Sequence, residues 1–475
     1  MKLKKMAAFL LALSTAAASF AMPVSAAELF GDIDSDNDVD AADAAWILQY
    51  AAYVGAGGTL DLKSFVNGDE EPAPPEITDT DDILTIMTWS ESDMQMSDCY
   101  LEDYPDAQLQ FLYPAQNGGG ASETFKTMLN SGEQVDLYVA ESDWVRSYID
   151  DETIGVPLSV LGLTDTDYEN GYSYAIEMCR NKNGELCGAP YLIAPGGYCY
   201  RTDLAEEYLG ITSPEEMQSR ISDWDGFTAA AEELRAATEG SITMTATLGG
   251  MWNAFKCETT MPNFRDGVLS TEKQGAFIDL AQTWIQNGYV NPAIEQWTSD
   301  WTYIGQNGET LGYFYSTWCL EPESIFEQNG GTEGNWAITA GPQEYYWGSG
   351  ILCISPSCNS ASEAERFLRY FTVDADSMQK FSEYSGHMVN HQAAVEAIIA
   401  SGKHTNPMLG GSDPYTVLNE TAKTLDFSAE LATAADTTLD DLFFMTFRND
   451  YNESKEVILS NYEESAAAAL DTAAE

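Results

Sequence analysis

Short apolar runs alternate with segments of helical periodicity throughout residues 83–475. The run ILTIMTW (83–89) predicts a buried strand, and LEDYPDAQLQFLYP (101–114) predicts the end of a helix followed by a second strand. FKTMLNSG (125–132) has the pattern of a helix that ends at glycine, and VDLYVAESDWVRSYID (135–150) that of a strand, a polar turn and a helix. Strands that alternate with helices predict an α/β fold with parallel strands, which bind ligands at their carboxyl ends.

An aspartate-rich loop precedes a helical segment near the start of the chain, in GDIDSDNDVDAADAAWILQYAA (31–52). The aspartates recur at the spacing of the oxygen ligands of a calcium loop, and Asn37 stands at the sharp turn. A solvated acidic linker is the alternative, but a divalent cation explains why every ligand position is filled. The sequence therefore predicts a calcium site in which Asp38 contributes its carbonyl oxygen and whose ligands are Asp32, Asp34, Asp36, Asp38, Asp40 and Asp43.

This segment resembles a dockerin type I repeat, whose loop also ends in Asp and continues into a helix with the pattern DAAD (40–43). Dockerins carry two such repeats and bind cohesin modules of cellulosome scaffolds. Here GGTLDLKSFVNGDEE (57–71) could supply a closing helix, but no second aspartate loop follows it. The resemblance implies calcium as a cofactor of a small loop-and-helix module over residues 28–68, with a cohesin-like module as a candidate partner.

The segment before this module indicates export, and the segment after it has the composition of a linker. Residues 1–27 combine a basic start, a short apolar run and small residues at the end, which is typical of a cleavable signal peptide. A membrane anchor is the weaker interpretation because Ser and Thr interrupt the run, and we expect no direct membrane insertion. The first cysteine is Cys99, so we expect no lipoprotein anchor and an extracellular or cell-surface location. Residues 69–82, rich in proline and acid, predict an extended linker.

Composition narrows the range of ligands. The chain has 475 residues, 44% of them hydrophobic, and a formal net charge of −55, so it is long enough for more than one core. A field of this sign repels phosphate backbones and anionic lipid, which disfavours nucleic acid and membrane surfaces as partners.

The eight cysteines permit disulfides, for example between Cys179 and Cys187 across an Asn-Gly turn, but buried free thiols fit the pattern equally well.

The region from residue 83 onward resembles the extracellular solute-binding proteins of ABC importers, of the family-1 type that binds sugars. The stretches that carry the resemblance occur in the family's order: LTIMTWSES, VDLYVAESDWVRSYID, GAPYLIAPGGYCYRTDLAEEYLG, SDWDGFTAAAEELR, LGYFYSTWCLEP and GPQEYYWGSGILCISPSCNSASEAERFLRYFT, the last followed by HMVNHQ. The resemblance implies a two-lobed periplasmic-binding-protein-like fold that closes about a hinge and presents a solute to a permease. Lobe one would comprise about 83–191 and 348–388, and lobe two about 196–345 and 389–475.

Aromatic and acidic side chains at predicted strand ends and loops indicate a sugar site. A pyranose ring offers an apolar face to a flat aromatic ring and a rim of hydroxyls to carboxylates. Any single tryptophan can instead be a core residue, and Trp224 and Trp284 lie on helical patterns that indicate packing. The remaining candidates for ligand binding are Trp89, Glu91, Glu141, Asp143, Trp144, Trp252, Tyr315, Trp318, Tyr346 and Trp347. Basic residues are few here, which favours a neutral sugar, and the number of aromatics favours an oligosaccharide.

Two other functions compete with an importer receptor. A protein tethered through residues 28–68 could hold sugars at the cell surface or on a scaffold without a permease. A secreted glycoside hydrolase would use a pair of carboxylates, but the surrounding motifs are those of a binding protein, so we predict no catalytic residues. His387 and His391 have the spacing of a helical zinc pair, yet HMVNH lacks the glutamate of HExxH, and a packing or surface role is the better interpretation.

Overall fold

A computed structural model describes residues 33, 39, 41–54, 62–67, 77–90, 93–114, 120–265, 267–321, 324–427 and 432–474. The chain divides into two units, Met1–Pro74 and Pro75–Glu475. The first unit contains helices α1 (Ala41–Val54) and α2 (Leu62–Asn67), whose aromatic rings Trp46 and Phe65 meet edge to face at 6.0 Å.

Of the predicted calcium ligands, Asp43 is the one that lies within the described residues. It is buried in the first turn of α1, and its carboxylate accepts a hydrogen bond of 2.6 Å from the backbone N–H of Ile33. The other five, Asp32, Asp34, Asp36, Asp38 and Asp40, lie outside the described residues, as does the predicted signal peptide. Calcium binding and the dockerin-like identity of this module therefore stay predictions.

The second unit is a mixed α/β structure. Its strands are β1 (Ile83–Met87), β2 (Gln108–Leu112), β3 (Leu137–Ala140), β4 (Gly188–Arg201), β5 (Thr243–Thr245), β6 (Phe264–Arg265), β7 (Val268–Leu269), β8 (Thr310–Ser316), β9 (Trp336–Thr339) and β10 (Tyr346–Ile354). Its helices are α3 (Met94–Asp103), α4 (Gly120–Asn130), α5 (Val145–Ile149), α6 (Ser173–Met178), α7 (Thr202–Leu209), α8 (Pro214–Arg220), α9 (Trp224–Ala237), α10 (Leu248–Phe255), α11 (Glu272–Asn287), α12 (Ser299–Gln306), α13 (Ala361–Thr372), α14 (Ala375–Ser385), α15 (Gln392–Ser401), α16 (Tyr415–Thr424), α17 (Asp436–Asp450) and α18 (Lys455–Ala474).

The main sheet has the order β2-β1-β3-β10-β4-β8-β5, and β9 pairs with β4 beside this path. As the sequence predicts, β1 runs parallel to β2 and β3, and β5 runs parallel to β8. The long strands β4 and β10 differ from that prediction, because β10 is antiparallel to both β3 and β4, and β4 is antiparallel to β8 and β9. They join the two parallel parts of the sheet into one mixed sheet.

Two hydrophobic clusters cover different parts of this sheet. The first includes β1, β3 and α13, and the second includes Phe227, Trp284 and Phe443 of α9, α11 and α17. Strand β4 contributes Tyr191 to the first and Tyr198 to the second. Residues between 389 and 425 pack in the first cluster, and the predicted lobe boundaries stay a prediction.

A buried aspartate fixes the strand that leads to the candidate site. The carboxylate of Asp136 accepts hydrogen bonds from the backbone N–H groups of Thr85 (2.7 Å), Asn359 (2.9 Å) and Ser360 (3.2 Å). It therefore ties the start of β3 to β1 and to the loop after β10. Because a carboxylate bound by three donors is strongly held, the residues that follow β3 emerge in a defined position.

The structure shows the state of the cysteines, and its helices can be checked for membrane spans. All eight cysteines are free thiols, although Cys179 and Cys187 lie across the hairpin that the Asn-Gly turn predicts, with the N–H of Cys187 bonded to the carbonyl oxygen of Cys179 at 3.0 Å. Among the helices of the described residues, none combines the length and the apolar character that crossing a bilayer requires.

Candidate functional site

A cavity of about 280 Å³ opens at the carboxyl ends of β1 and β3. Trp89 and Ser90 follow β1, and Glu141 follows β3. The central strands β4 and β10 form another wall, and the segments 317–321 and 387–388 complete the lining. This is the position in which open α/β sheets bind ligands, because the loops after parallel strands diverge there and leave a crevice.

Glycines on β10 shape the wall between these elements. The backbone of Gly348 has φ 89°, a left-handed conformation that side chains rarely adopt, and the pairing of β10 with β4 shifts register on either side of Ser349 and Gly350. A Cβ on Gly350 would lie 2.5 Å from the ring of Tyr191. Glycine is therefore required where β10 passes close to Tyr191 at the cavity wall.

Two half-buried indole rings, those of Trp89 and Trp318, line the cavity. Trp89 meets Trp144 edge to face at 6.0 Å, so Trp144 supports Trp89 from behind and is not itself among the lining residues. The indole N–H of Trp318 donates a hydrogen bond of 2.8 Å to the carbonyl oxygen of Trp347. The rings of Trp318 and Trp347 meet edge to face at 4.7 Å, which fixes the orientation of Trp318.

Trp297 extends this aromatic surface and was not among the residues predicted from the sequence. Its ring stacks on Trp318 at 5.6 Å with planes 18° apart, and 61% of the residue is exposed. Its backbone has φ 68°, which costs free energy in any residue other than glycine and indicates that the surrounding structure holds it there. Its neighbours in EQWTSD are polar, as are those of the tryptophans that the sequence analysis selected, so the same criterion could have found it. We call Trp297, Trp318 and Trp347 the tryptophan trio.

Asp93 is a buried acid at the cavity wall. Its carboxylate accepts hydrogen bonds from the hydroxyl of Tyr191, at 2.7 Å, and from the hydroxyl of Thr88. Burial raises the pKa of Asp93 above its ordinary value, although both hydrogen bonds oppose the shift. Nothing in the sequence around Asp93 distinguished it, because its role depends on Tyr191, which lies 98 residues away.

Two further residues that line the cavity, His387 and Glu321, contact each other. Nδ1 of His387 contacts Oε1 of Glu321. Burial alone would lower the pKa of His387, but the hydrogen bond and charge of Glu321, together with the charge of Asp93, hold the pKa above its ordinary value. The sequence analysis gave His387 a packing or surface role. The structure places it at the cavity instead.

The carboxyl group of Glu141, a predicted site residue, is strongly perturbed by its surroundings. Burial raises its pKa to about 7, and the negative charges of Asp143 and Asp93 add to the shift. Within the part of the chain that the structure describes, no group donates a hydrogen bond to its carboxylate. Glu141 therefore offers an acceptor that no described residue satisfies.

The remaining predicted residues divide between the core and a second cavity. Trp252 is 3% exposed and packs against Phe277 and Phe443, and Tyr315 is fully buried and stacked on Tyr313. The structure thus places Trp252 and Tyr315 in the hydrophobic clusters and not at the cavity, because the helix and strand that carry them turn these side chains inward. Glu91 lies outside the described residues.

Asp143 and Tyr346 line a smaller neighbouring cavity of about 70 Å³, together with Lys256 and Asp440. The ring of Tyr346 stacks on Tyr174 at 5.6 Å. Burial lowers the pKa of Lys256, but Asp143 and Asp440 outweigh burial and hold it above its ordinary value. The two cations among the described lining residues of this cavity, Arg146 and Lys256, therefore offset its three carboxylates only in part.

We expect the substitution Glu141→Gln to change how stability depends on pH. Below pH 4.5 the folded and unfolded states both hold the proton of Glu141. Between pH 4.5 and about 7 only the folded state holds it, so the free energy of unfolding falls as pH rises and stays lower above pH 7. The variant lacks this fall. Its unfolding midpoint should therefore exceed that of the wild type by a few degrees more at pH 8 than at pH 4.5, as measured by thermal unfolding.

The matched control for that measurement is Glu309→Gln, which removes the same charge from an exposed position. Comparison of the two variants separates the effect of the buried carboxyl group from that of removing one negative charge. An equal difference for Glu141→Gln at both pH values would contradict a raised pKa at Glu141.

The mixed sheet and the cavity at its strand ends define a protein of the periplasmic-binding-protein-like class. Residues 95–403 match the family of bacterial extracellular solute-binding proteins, and the chain belongs to this family. This confirms the extracellular solute-binding family that the sequence motifs indicated, while the sugar-binding type and the dockerin-like repeat stay predictions. No curated protein matches the chain significantly.

Solved structures share the fold at low sequence identity. A crystal structure of an extracellular solute-binding protein of family 1 has a TM-score of 0.72 and 17% identity, with 82% of this chain and 100% of that chain covered. The sugar-binding protein MalE from Xanthomonas citri has a TM-score of 0.68 and 13% identity, with 82% and 98% covered. A binding protein from B. animalis subsp. lactis, in complex with beta-1,6-galactobiose, has a TM-score of 0.60 and 16% identity, with 82% and 97% covered.

Proposed function

We propose that this protein binds an oligosaccharide outside the cell and delivers it to an ABC importer. The observation that carries the proposal is the cavity, which combines indole rings with carboxylates and has neither lysine nor arginine among its described lining residues. An amino-acid or phosphate site would require a cation for the anionic group. A sugar requires an apolar platform and a hydroxyl acceptor; Trp89 and Trp318 offer the platform, and Glu141 offers the acceptor.

The extent of the aromatic surface supports an oligosaccharide over a monosaccharide. Trp89 and Trp318 line the cavity, and the tryptophan trio continues beyond it through Trp297, whose ring is largely exposed. A single pyranose ring can cover only one or two such surfaces. Exposed apolar surface of this kind usually serves a ligand or partner, so we assign Trp297 to further sugar units.

Related proteins support the same ligand class. Similar structures include complexes with beta-1,6-galactobiose, with maltose in a T. maritima MalE3 and with acarbose in the GacH receptor of Streptomyces glaucescens. Proteins of this family and fold typically carry out no catalysis, and the proposal assigns none of the carboxylates a catalytic role. Calcium binding by residues 28–68, a cohesin-like partner and tethering in place of a permease stay predictions.

Thermal unfolding of the full chain against neutral oligosaccharides, amino acids and polyamines tests this function. A ligand at about 100 times its dissociation constant stabilises a protein by roughly 2.7 kcal/mol, which should raise the midpoint by a few degrees. We expect a shift with an oligosaccharide that remains intact on incubation. A sugar that is consumed would favour the hydrolase, and a shift with an amino acid but with no sugar would overturn the proposal.

A further inference from the structure

Among the described residues that line the cavity, the acidic and basic side chains are three carboxyl groups and one imidazole: Asp93, Glu141, Glu321 and His387. The protein satisfies two of the three carboxyl groups. Asp93 accepts hydrogen bonds from Tyr191 and Thr88, and Glu321 pairs with His387, the one potential cation among the described lining residues. Glu141 is left without a donor in the described structure and faces the like charges of Asp93 and Asp143.

A neutral sugar would leave this arrangement incompletely compensated. A hydroxyl group can donate one hydrogen bond to Glu141, but it brings no charge to offset the repulsion from Asp93 and Asp143. A protonated amine has three donors and a positive charge, and hydrogen bonds between ionised partners are about twice as strong as neutral ones. The cavity therefore favours a cationic group next to Glu141.

From this we infer that the ligand is an oligosaccharide with an amino-sugar unit, whose protonated amine pairs with Glu141 while Trp89 or Trp318 stacks on its ring. This inference rests on the proposed function, because the aromatic surfaces are what require a sugar. It adds a positive charge to a ligand that the sequence analysis took to be neutral. The field of the whole chain acts in the same direction, since a net charge of −55 concentrates cations near the protein.

A metal ion is the other cation that carboxylates could attract, and the geometry does not favour it. Among the described residues, no group of three or more His, Cys, Asp or Glu side chains is arranged to hold a metal ion. A hard divalent cation takes six or more oxygen ligands at short distances. Glu141, as a single unsatisfied carboxylate, matches an ammonium group better than it matches a metal.

Calorimetric titration of the full chain with sugars that differ at one position tests the inference. The probes are β-1,4-linked trimers of glucose, glucosamine and N-acetylglucosamine, together with galactose and galactosamine as a second pair. Glucosamine differs from glucose, and galactosamine from galactose, in that an amine replaces the hydroxyl group at C2. The sugar ring and its linkage are therefore unchanged within each of these two pairs. We expect the amino sugar to bind at least about tenfold more tightly than its hydroxyl counterpart, the gain of one charged hydrogen bond. The N-acetyl trimer, which has no charge, should show no such gain.

Two variants locate the effect. In Glu141→Gln the ratio of amino-sugar to neutral-sugar affinity should fall to within about twofold of unity, because one charged pair is lost. In Glu309→Gln, which removes the same charge from an exposed position outside the cavity, the ratio should persist. A preference that both variants retain would attribute it to the field of the whole chain and overturn the pairing with Glu141.

The remaining outcomes separate this inference from the proposed function. Binding of neutral sugars with no gain from the amine would overturn the inference and leave the proposed function intact. Binding of a simple polyamine such as spermidine, without binding of any sugar, would overturn both. The wild-type comparison within each pair does not depend on the folding of any variant.

Discussion

Replacement of Trp318 by alanine is expected to weaken sugar binding about 100-fold. Trp318 lines the cavity and stands at the centre of the tryptophan trio, in contact with both Trp297 and Trp347. Its loss removes a platform for the sugar and also releases Trp297, which stacks on it. Truncation of a central aromatic residue in a binding site typically costs 2 kcal/mol or more, and about 2.7 kcal/mol corresponds to 100-fold.

Isothermal titration with the oligosaccharide identified by thermal shift would measure this loss, with circular dichroism to verify the fold. Trp318→Phe is the matched variant, because it keeps an aromatic face while losing the hydrogen bond to the carbonyl oxygen of Trp347. It should recover most of the affinity. Unchanged affinity in Trp318→Ala would mean that the sugar binds elsewhere.

Replacement of Trp252 by alanine is expected to have the opposite profile, with a large loss of stability and little change in affinity. Trp252 is buried among Phe255, Phe277 and Phe443, and the ammonium group of Lys273 lies 5.9 Å from the centre of its ring. Removing a buried tryptophan costs about 3–5 kcal/mol, because the cavity left behind collapses only in part.

Urea denaturation would measure this cost as a lower midpoint. At temperatures where the variant is folded, its affinity for the sugar should remain within about threefold of the wild type, since Trp252 does not line the cavity. Trp252→Phe should lose less stability because it retains an aromatic ring. If the folded variant lost as much affinity as Trp318→Ala, Trp252 would have to be part of the binding site.

These two tryptophans illustrate what local sequence can and cannot predict. Both Trp252 and Trp318 follow apolar segments with small or polar neighbours, and both were predicted to bind ligand on that basis. The side chain of Trp252 points into the second cluster because α10 packs against α11 and α17, which come later in the chain. Burial is decided by those distant segments, so no pattern around Trp252 could reveal it.

The same reason explains the residues that the sequence analysis missed. His387 was recognised as a histidine with an i, i+4 neighbour, but its partner Glu321 is 66 residues away in the chain. Trp297 stood in the same polar context as the other candidates, yet its stacking on Trp318 depends on how the segment before α12 meets the segment after β8. Pairs of this kind exist only in the folded protein.

The sequence by itself determined the alternation of strands and helices, because periodicity acts over a few neighbouring residues. The resemblance of its ordered motifs indicated the solute-binding family, and the kinds of side chain at the candidate site were predicted from residue chemistry. Only the tertiary structure decided that β4 and β10 make the sheet mixed, that Trp318 faces the cavity while Trp252 does not, and that Glu141 has no hydrogen-bond donor among the described residues. Each of these outcomes depends on strand register and on packing between segments that are distant in the chain. Exclusion of water and repulsion between charges act between residues that are close in space, whatever their separation in sequence.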